Sequence, residues 1–223
     1  MTEILRAEAL TLSYGSTEVL RGVSVVFPGP ETVAITGPSG SGKTSLLYSL
    51  SGLERGARGS VRMLDTELTE LSPDALSDLR LRNVGFVFQS SDLVPELTLR
   101  QNVALPLQLA GTPRREVATR VDELLDRLGL GSSADRRPGQ VSGGQAQRCA
   151  VARAVVARPL VVFADEPTGA LDQENREVVL GLLIDEVRAL EGLLITVTHD
   201  PDVAARFERR ISLLDGVIVD GHV

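Results

Sequence analysis

The sequence predicts an α/β fold with a mixed sheet, an N-terminal antiparallel β subdomain and an inserted α-helical subdomain. Three observations predict it. Short runs of Val, Ile and Leu alternate with stretches of helical spacing along most of the chain. One such run ends in a glycine-rich loop that opens a helix. Between residues 90 and 141 the strand signals stop and only helical periodicity remains.

Residues 3–14 and 17–27 read as an antiparallel pair that turns at Gly15-Ser16. Val33-Ala34-Ile35-Thr36 is a short apolar strand, and residues 43–53 follow as a helix. Residues 60–64 read as a strand, 74–82 as a short helix after Pro73, and 84–88 as a buried strand. Helices are expected over 99–109 and 114–128. The second lines up Val117, Val121, Leu124, Leu125 and Leu128 on one face of a 3.6-residue period. A further helix covers 146–157, after Ser142. Residues 160–164 and 193–197 are strands, 174–190 is a helix, and 211–219 is a hairpin around Asp215-Gly216. The parallel-type strands are rich in Val, Ile and Leu, as strands with helices on both faces must be. The expected organisation is one domain, 1–223, with a core of 1–89 and 142–223 and a helical subdomain of 90–141.

Composition narrows the possible partners. The 223 residues are 43% hydrophobic and 24% charged, ordinary globular values. A chain of this length buries roughly 70–75% of its unfolded surface and needs no disulfide. Its single cysteine, Cys149, can form none internally, which fits a reducing compartment. Residues 1–12 show no apolar core of a secretion signal. Net charge −7 and an aromatic content of 3% argue against a nucleic-acid partner. No apolar run approaches the roughly 20 residues of a membrane span, so membrane contact is expected only through another chain. Of the 23 basic residues only Lys43 is lysine, which makes its position informative.

Lys43 closes the loop Gly37-Pro38-Ser39-Gly40-Ser41-Gly42-Lys43-Thr44, between a strand and a helix. This is the P-loop pattern in its required context, and it places the core among the P-loop NTPases. Glycines let the backbone wrap closely around phosphate oxygens. The loop amides and the helix N-terminus supply positive potential. Lys43 would bridge the outer phosphates, and the Thr44 hydroxyl would ligate Mg²⁺. The strand 160–164 runs into Asp165-Glu166, at the strand end where open α/β sheets bind ligands. Asp165 suits Mg²⁺, and Glu166 suits taking a proton from attacking water. Gln89 and His199 end two other apolar strands, so three polar strand ends point to one site. Ser142-Gly143-Gly144-Gln145 admits two readings on local physics, an N-cap or bare backbone for an anion. Tyr14 is either a surface strand residue or a ring on which a base stacks.

These residues, in this order, resemble the ATP-binding subunits of ABC transporters over almost the whole chain. Tyr14 resembles the adenine-stacking A-loop aromatic, Gly37 to Thr44 the Walker A loop, and Gln89 the Q-loop glutamine. Val141-Ser142-Gly143-Gly144-Gln145 is similar to the signature sequence, with Val where Leu is usual. Asp165 and Glu166 resemble the end of Walker B and its catalytic glutamate, Gly169-Ala170-Leu171-Asp172 the D-loop, and His199 the switch histidine. Thr44-Ser45 reverses the usual order of hydroxyls, either of which can hold Mg²⁺. The resemblance implies Glu166, His199, Gln89 and Lys43 as catalytic residues. It implies Thr44, Gln89 and Asp165 as Mg²⁺ contacts. It further implies a head-to-tail pair in which Ser142-Gly143-Gly144, with Gln145 and Asp172, meets ATP held by the other copy's loop. The pair would be a homodimer or two different ATPase subunits, docked through 90–141 on the cytoplasmic side of the cell membrane against a transmembrane permease.

Segments 88–98, 102–107 and 165–172 look like the lipoprotein-releasing and macrolide-export type. An alternative partner makes the chain a mechanotransmission ATPase acting on cell-wall enzymes. The soluble ABC ATPases of DNA repair or translation fit less well. Those usually carry a coiled-coil insertion, zinc-binding cysteines or a second cassette, and this sequence has none of them.

Overall fold

The structure, a computed structural model, describes residues 3–220; the ends of the expected 1–223 domain, residues 1–2 and 221–223, lie outside the described residues. The strands are β1 (Leu5–Tyr14), β2 (Thr17–Phe27), β3 (Thr32–Thr36), β4 (Arg58–Met63), β5 (Thr66–Glu67), β6 (Val84–Val87), β7 (Val161–Asp165), β8 (Leu193–Val197), β9 (Arg209–Leu214) and β10 (Val217–Asp220). The α-helices are α1 (Lys43–Leu50), α2 (Pro73–Asn83), α3 (Leu99–Leu109), α4 (Arg114–Arg127), α5 (Gly143–Val155), α6 (Gln173–Ala189) and α7 (Pro201–Ala204). The chain forms two compact units, Met1–Arg80 with Glu191–Val223, and Leu81–Leu190.

In the first unit, β2-β1-β4-β5 form an antiparallel sheet, as the alternation in 3–27 requires. Leu5, Ala7, Leu10 and Leu12 turn inward and are buried. The inward pattern changes step at Ala9, which sits at φ 48 in a bulge and donates its N–H to Ser24 Oγ at 2.9 Å. Gly59 lies opposite at φ 107, where an added Cβ would come 2.7 Å from the Ala9 carbonyl oxygen. The bulge therefore needs a glycine across from it. In the same unit β3 runs parallel to both β8 and β9, and β10 returns antiparallel to β9, so this sheet is mixed. Val33, Ala34 and Ile35 are fully buried there.

In the second unit β6 and β7 pair in parallel, from Val84 opposite Val161 to Val87 opposite Ala164. Phe86 stacks on Phe88 at 5.4 Å and on Phe163 at 5.5 Å between ring centroids. The backbone of α5 lies directly on β6. A Cβ on Gly85 would sit 2.3 Å from the Ala154 carbonyl oxygen. Thr98 and Gln101 form a reciprocal capping box that starts α3. Buried Asn102 accepts from Val94 N–H at 2.7 Å and donates to the Val94, Leu97 and Thr98 carbonyls, which shapes the turn ahead of that helix. Helix α4 buries Val117, Val121, Leu124 and Leu125, four of the five residues its periodicity singles out, and Leu128 is buried at its C-cap. Arg127 pairs with Glu186 of α6 at 3.0 Å.

The elements differ from expectation mainly at their ends. Helix α1 stops at Leu50 because Ser51 caps it. Helix α5 begins at Gly143, directly after the Ser142 cap as one of the two local readings had it, and its helical turns take in the two glycines ahead of the 146–157 run. Strand β5 and helix α7 have two and four residues, too few for any period to show.

Candidate active site

The phosphate loop lies between β3 and α1 in the first unit. Gly37 (φ 148), Gly40 (φ 79) and Gly42 (φ 98) all adopt backbone that disfavours other residues. Two of them also lack space. A Cβ on Gly37 would meet the Leu213 carbonyl oxygen at 2.1 Å, and one on Gly42 the Val19 carbonyl oxygen at 2.8 Å. The β9–β10 hairpin braces the loop from outside, with Gly216 N–H donating to the Ser41 carbonyl at 3.2 Å.

Inside the loop, Lys43 is only 8% exposed. Its ammonium donates to the Gly37 and Pro38 carbonyls at 2.9 and 2.8 Å, which folds the side chain back over the loop. Gly42 is the N-cap of α1, and no side chain caps the first-turn amides of that helix. Ser41 Oγ is buried with no hydrogen-bond partner among the described residues. Thr44 and Ser45 occupy the first turn of α1. Together, close-wrapped glycines, uncapped amides, an unsatisfied hydroxyl and a retracted ammonium fit a polyphosphate.

Tyr14 ends β1 and is 52% exposed. Its hydroxyl donates to Glu54 at 2.8 Å and also bonds to Ser45, which ties the ring to the start of α1. Desolvation of the hydroxyl, then the Glu54 carboxylate, raises its pKa. His199 follows β8. Thr198 N–H donates to the Ile35 carbonyl at 3.1 Å, so the ends of β8 and β3 are joined. Asp200 caps α7 by accepting from Asp202 and Val203 N–H. Exposed His199 is thereby held between two fixed elements.

In the second unit the parallel register carries Gln89 and Glu166 past the ends of β6 and β7 to equivalent positions. Asp165 closes β7. Glu166 turns into the left-handed region at φ 47, which ends the extended backbone of β7 directly after Asp165. Gly169 N–H donates to the Glu166 carbonyl at 3.0 Å and closes the next turn. The Gln89 amide nitrogen lies over Gly169, where a Cβ would come within 3.0 Å of it. Gln89, Asp165 and Glu166 are thus brought together. Thr44, Asp165 and Gln89 are all oxygen donors, the hard set Mg²⁺ takes. Among the described residues no three His, Cys, Asp or Glu form a metal cage.

Ser142 caps α5. Its Oγ accepts from Gln145 N–H at 3.3 Å, and Gln145 Oε1 accepts from Ser142 N–H at 3.0 Å. Asp172 caps α6 by accepting from Asn175 N–H at 2.9 Å, and these bonds hold its carboxyl below the usual range. Sequence reasoning missed Asn175, whose side-chain nitrogen donates to both Asp172 oxygens and whose Oδ1 lies against Gly144. Its only local signal is an Asn three residues after a capping Asp. Gln147 and Arg153 of α5, both bonded to the segment after β6, were also missed.

The pattern of the family described as ABC transporter matches residues 20–169. The chain belongs to the ABC transporter family. It is an ABC ATPase, and relatives extend that likeness nearly end to end. It is 43% identical to the macrolide export ATP-binding/permease protein MacB of Shigella flexneri over 98% of its length, and spans 34% of that protein. It is 38% identical to the lipoprotein-releasing system ATP-binding protein LolD of Bacteroides fragilis (strain YCH46), over 97% of its length and 100% of LolD. Among solved structures it resembles the ATP-binding cassette MJ0796, described as a dimer in a post-hydrolysis state bound to ADP and Pi. There the TM-score is 0.89, with 34% identity over 98% of this chain and 97% of that one. A second dimeric structure of the same bacterial ABC transporter cassette matches with TM-score 0.90 and 35% identity. No helix among the described residues is long and apolar enough to cross a membrane.

Proposed function

We propose that this ABC ATPase drives a separate membrane permease, as one of a head-to-tail pair of cassettes on the cytoplasmic side, in a system of the macrolide-export or lipoprotein-release kind. The observation that carries the reading is the wrapped loop around Lys43, in a chain that matches LolD over that protein's entire length. The core of 1–89 and 142–223 would hold ATP, and the helical part 90–141 would meet the permease.

Each residue has a defined task in this reading. The loop amides and Lys43 bind the β- and γ-phosphates and offset the charge that develops during transfer. Exposed Tyr14 offers a face for the adenine. Thr44, Asp165 and Gln89 would hold Mg²⁺, which when bound neutralises phosphate charge. Glu166 takes the proton from the attacking water, and Gln89 and His199 orient that water. Ser142, Gly143, Gly144 and Gln145, with Asp172, complete the pocket of the opposite copy. In that arrangement the exposed start of α5 would bring its backbone amides to the γ-phosphate.

The test is to tag the chain, solubilise membranes in detergent and identify what co-purifies. A polytopic protein with a large extracytoplasmic domain that stimulates phosphate release from ATP supports the reading. Phosphate release that no membrane protein from the same cells stimulates would remove the transport assignment.

A further inference from the structure

Two consecutive residues just after Gln89 sit in left-handed backbone: Ser91 at φ 61 and Asp92 at φ 44. Neither is glycine; aspartate enters this region with the help of local hydrogen bonds, but serine seldom does, and two such residues in a row need support from their surroundings. Those surroundings are specific. Arg153 of α5 donates from Nη1 to the Asp92 carbonyl at 2.6 Å and from Nη2 to the Ser91 carbonyl at 2.9 Å. Nearly two turns earlier on the same helix, Gln147 donates to the Phe88 carbonyl at 2.8 Å. Within the turn, Ser90 Oγ donates to the Asp92 carboxylate and Ser91 N–H to the Phe88 carbonyl. Three carbonyls on either side of Gln89 are thus fastened to one helix, whose first residues follow the Ser142 cap.

The fork geometry explains why the residue is arginine. A guanidinium presents parallel donors that satisfy two adjacent carbonyls only when both face it. Two successive left-handed residues turn the Ser91 and Asp92 carbonyls to the same side. Without the fork only the turn's own bonds, Ser90 Oγ to Asp92 and Ser91 N–H to the Phe88 carbonyl, oppose a return of residues 91 and 92 to more favoured backbone, which would carry the Gln89 amide from its place over Gly169. We propose that Arg153 is a positioning residue for Gln89, fixing the reach of that amide by locking the following turn onto the flank of α5. The proposal rests on the reading above, in which Gln89 acts at the nucleotide. It adds that the signature helix and the Gln89 loop move as one piece.

The test compares steady-state ATP hydrolysis and equilibrium ATP binding in the full chain. Arg153→Met is expected to lower kcat about 10- to 100-fold, the scale of an ångström-sized misplacement, with ATP affinity within about 2-fold. Arg153→Lys should recover part of the loss, since an ammonium still reaches one carbonyl. In a Gln89→Ala background Arg153→Met should cost nothing further, because both changes disable the same amide. Gln147→Met, which removes one bond on the other side of Gln89, should show the same non-additivity and serves if Arg153→Met folds poorly. Full kcat in folded Arg153→Met, or a loss that adds to that of Gln89→Ala, overturns the proposal. If Gln89→Ala itself hydrolyses at the wild-type rate, the role given to Gln89 falls and the proposal falls with it. If Gln89→Ala is impaired and the Arg153 and Gln147 variants are not, only the proposal falls.

Discussion

Asn175 fills the space a side chain on Gly144 would need: a Cβ there would lie 2.2 Å from Asn175 Oδ1. The Asn175 amide nitrogen meanwhile holds both carboxylate oxygens of Asp172, at 3.0 and 2.9 Å. Gly144 is therefore glycine for a reason internal to the fold. Gly143 has no such reason, since its nearest neighbour would be Leu171 Cδ2 at 3.9 Å.

The two glycines should respond differently to the same change. Gly143→Ala should leave the thermal midpoint unchanged or slightly raised, because alanine is the better helix former by up to about 1 kcal/mol. It should still lower ATP turnover more than about 10-fold, because a methyl group then stands where the proposed pairing of cassettes would bring a phosphate. Gly144→Ala should destabilise the fold by about 1–3 kcal/mol through displacement of Asn175. Unimpaired turnover in Gly143→Ala would show that no ligand approaches that amide.

Glu166→Gln keeps the shape of the side chain and removes its basicity. ATP binding measured by calorimetry should persist, while phosphate release falls at least about 100-fold. With ATP and Mg²⁺ the variant should elute as a dimer on size exclusion. Turnover at the wild-type rate would assign the base elsewhere.

Lys43→Ala should weaken ATP binding about 10- to 100-fold, as expected for losing a charged hydrogen bond to phosphate. It also removes the internal clasp on the Gly37 and Pro38 carbonyls, so the melting temperature without nucleotide should fall as well. A Lys43→Ala chain that binds ATP normally would separate the loop from the nucleotide.

Burial pushes the Cys149 thiol from an ordinary 9.0 up to about 12. The folded chain therefore holds that proton more tightly than the unfolded chain does. Its contribution to stability is intact below pH 9.0, the unfolded value, and is lost as pH rises toward about 12. An aromatic disulfide reagent at pH 8 should leave Cys149 untouched until denaturant is added. Cys149→Ala should flatten the fall in urea stability between pH 9 and 11. Rapid labelling of native protein would contradict the burial.

What the sequence made legible was periodic or contiguous. The buried face of α4 follows from spacing alone, and the loop at 37–44 from eight adjacent residues whose chemistry depends on the local backbone. The strand ends at Gln89 and Glu166 were legible because buried parallel strands are short and uniformly apolar. Contacts between distant residues were not. Arg153 meets Asp92 across 61 positions, and a lone arginine on a helix carries no mark of which carbonyl it will find. Asn175 reads locally as an ordinary cap partner, while its second contact, with Gly144, depends on how α5 and α6 pack. The start of α5 after Ser142 was legible from the cap, although the propensity of the two glycines argued against it.

The scarcity of lysine has a practical consequence. An endoprotease that cuts only after lysine has one target in all 223 residues, the bond between Lys43 and Thr44. That bond lies at the mouth of α1, behind a side chain with 8% of its surface open. Cleavage must wait until this turn unwinds, so the decay of the intact band on a gel clocks the opening of the nucleotide loop with no dye or mutation installed. Slower decay with ATP present would read out the loop's occupancy directly.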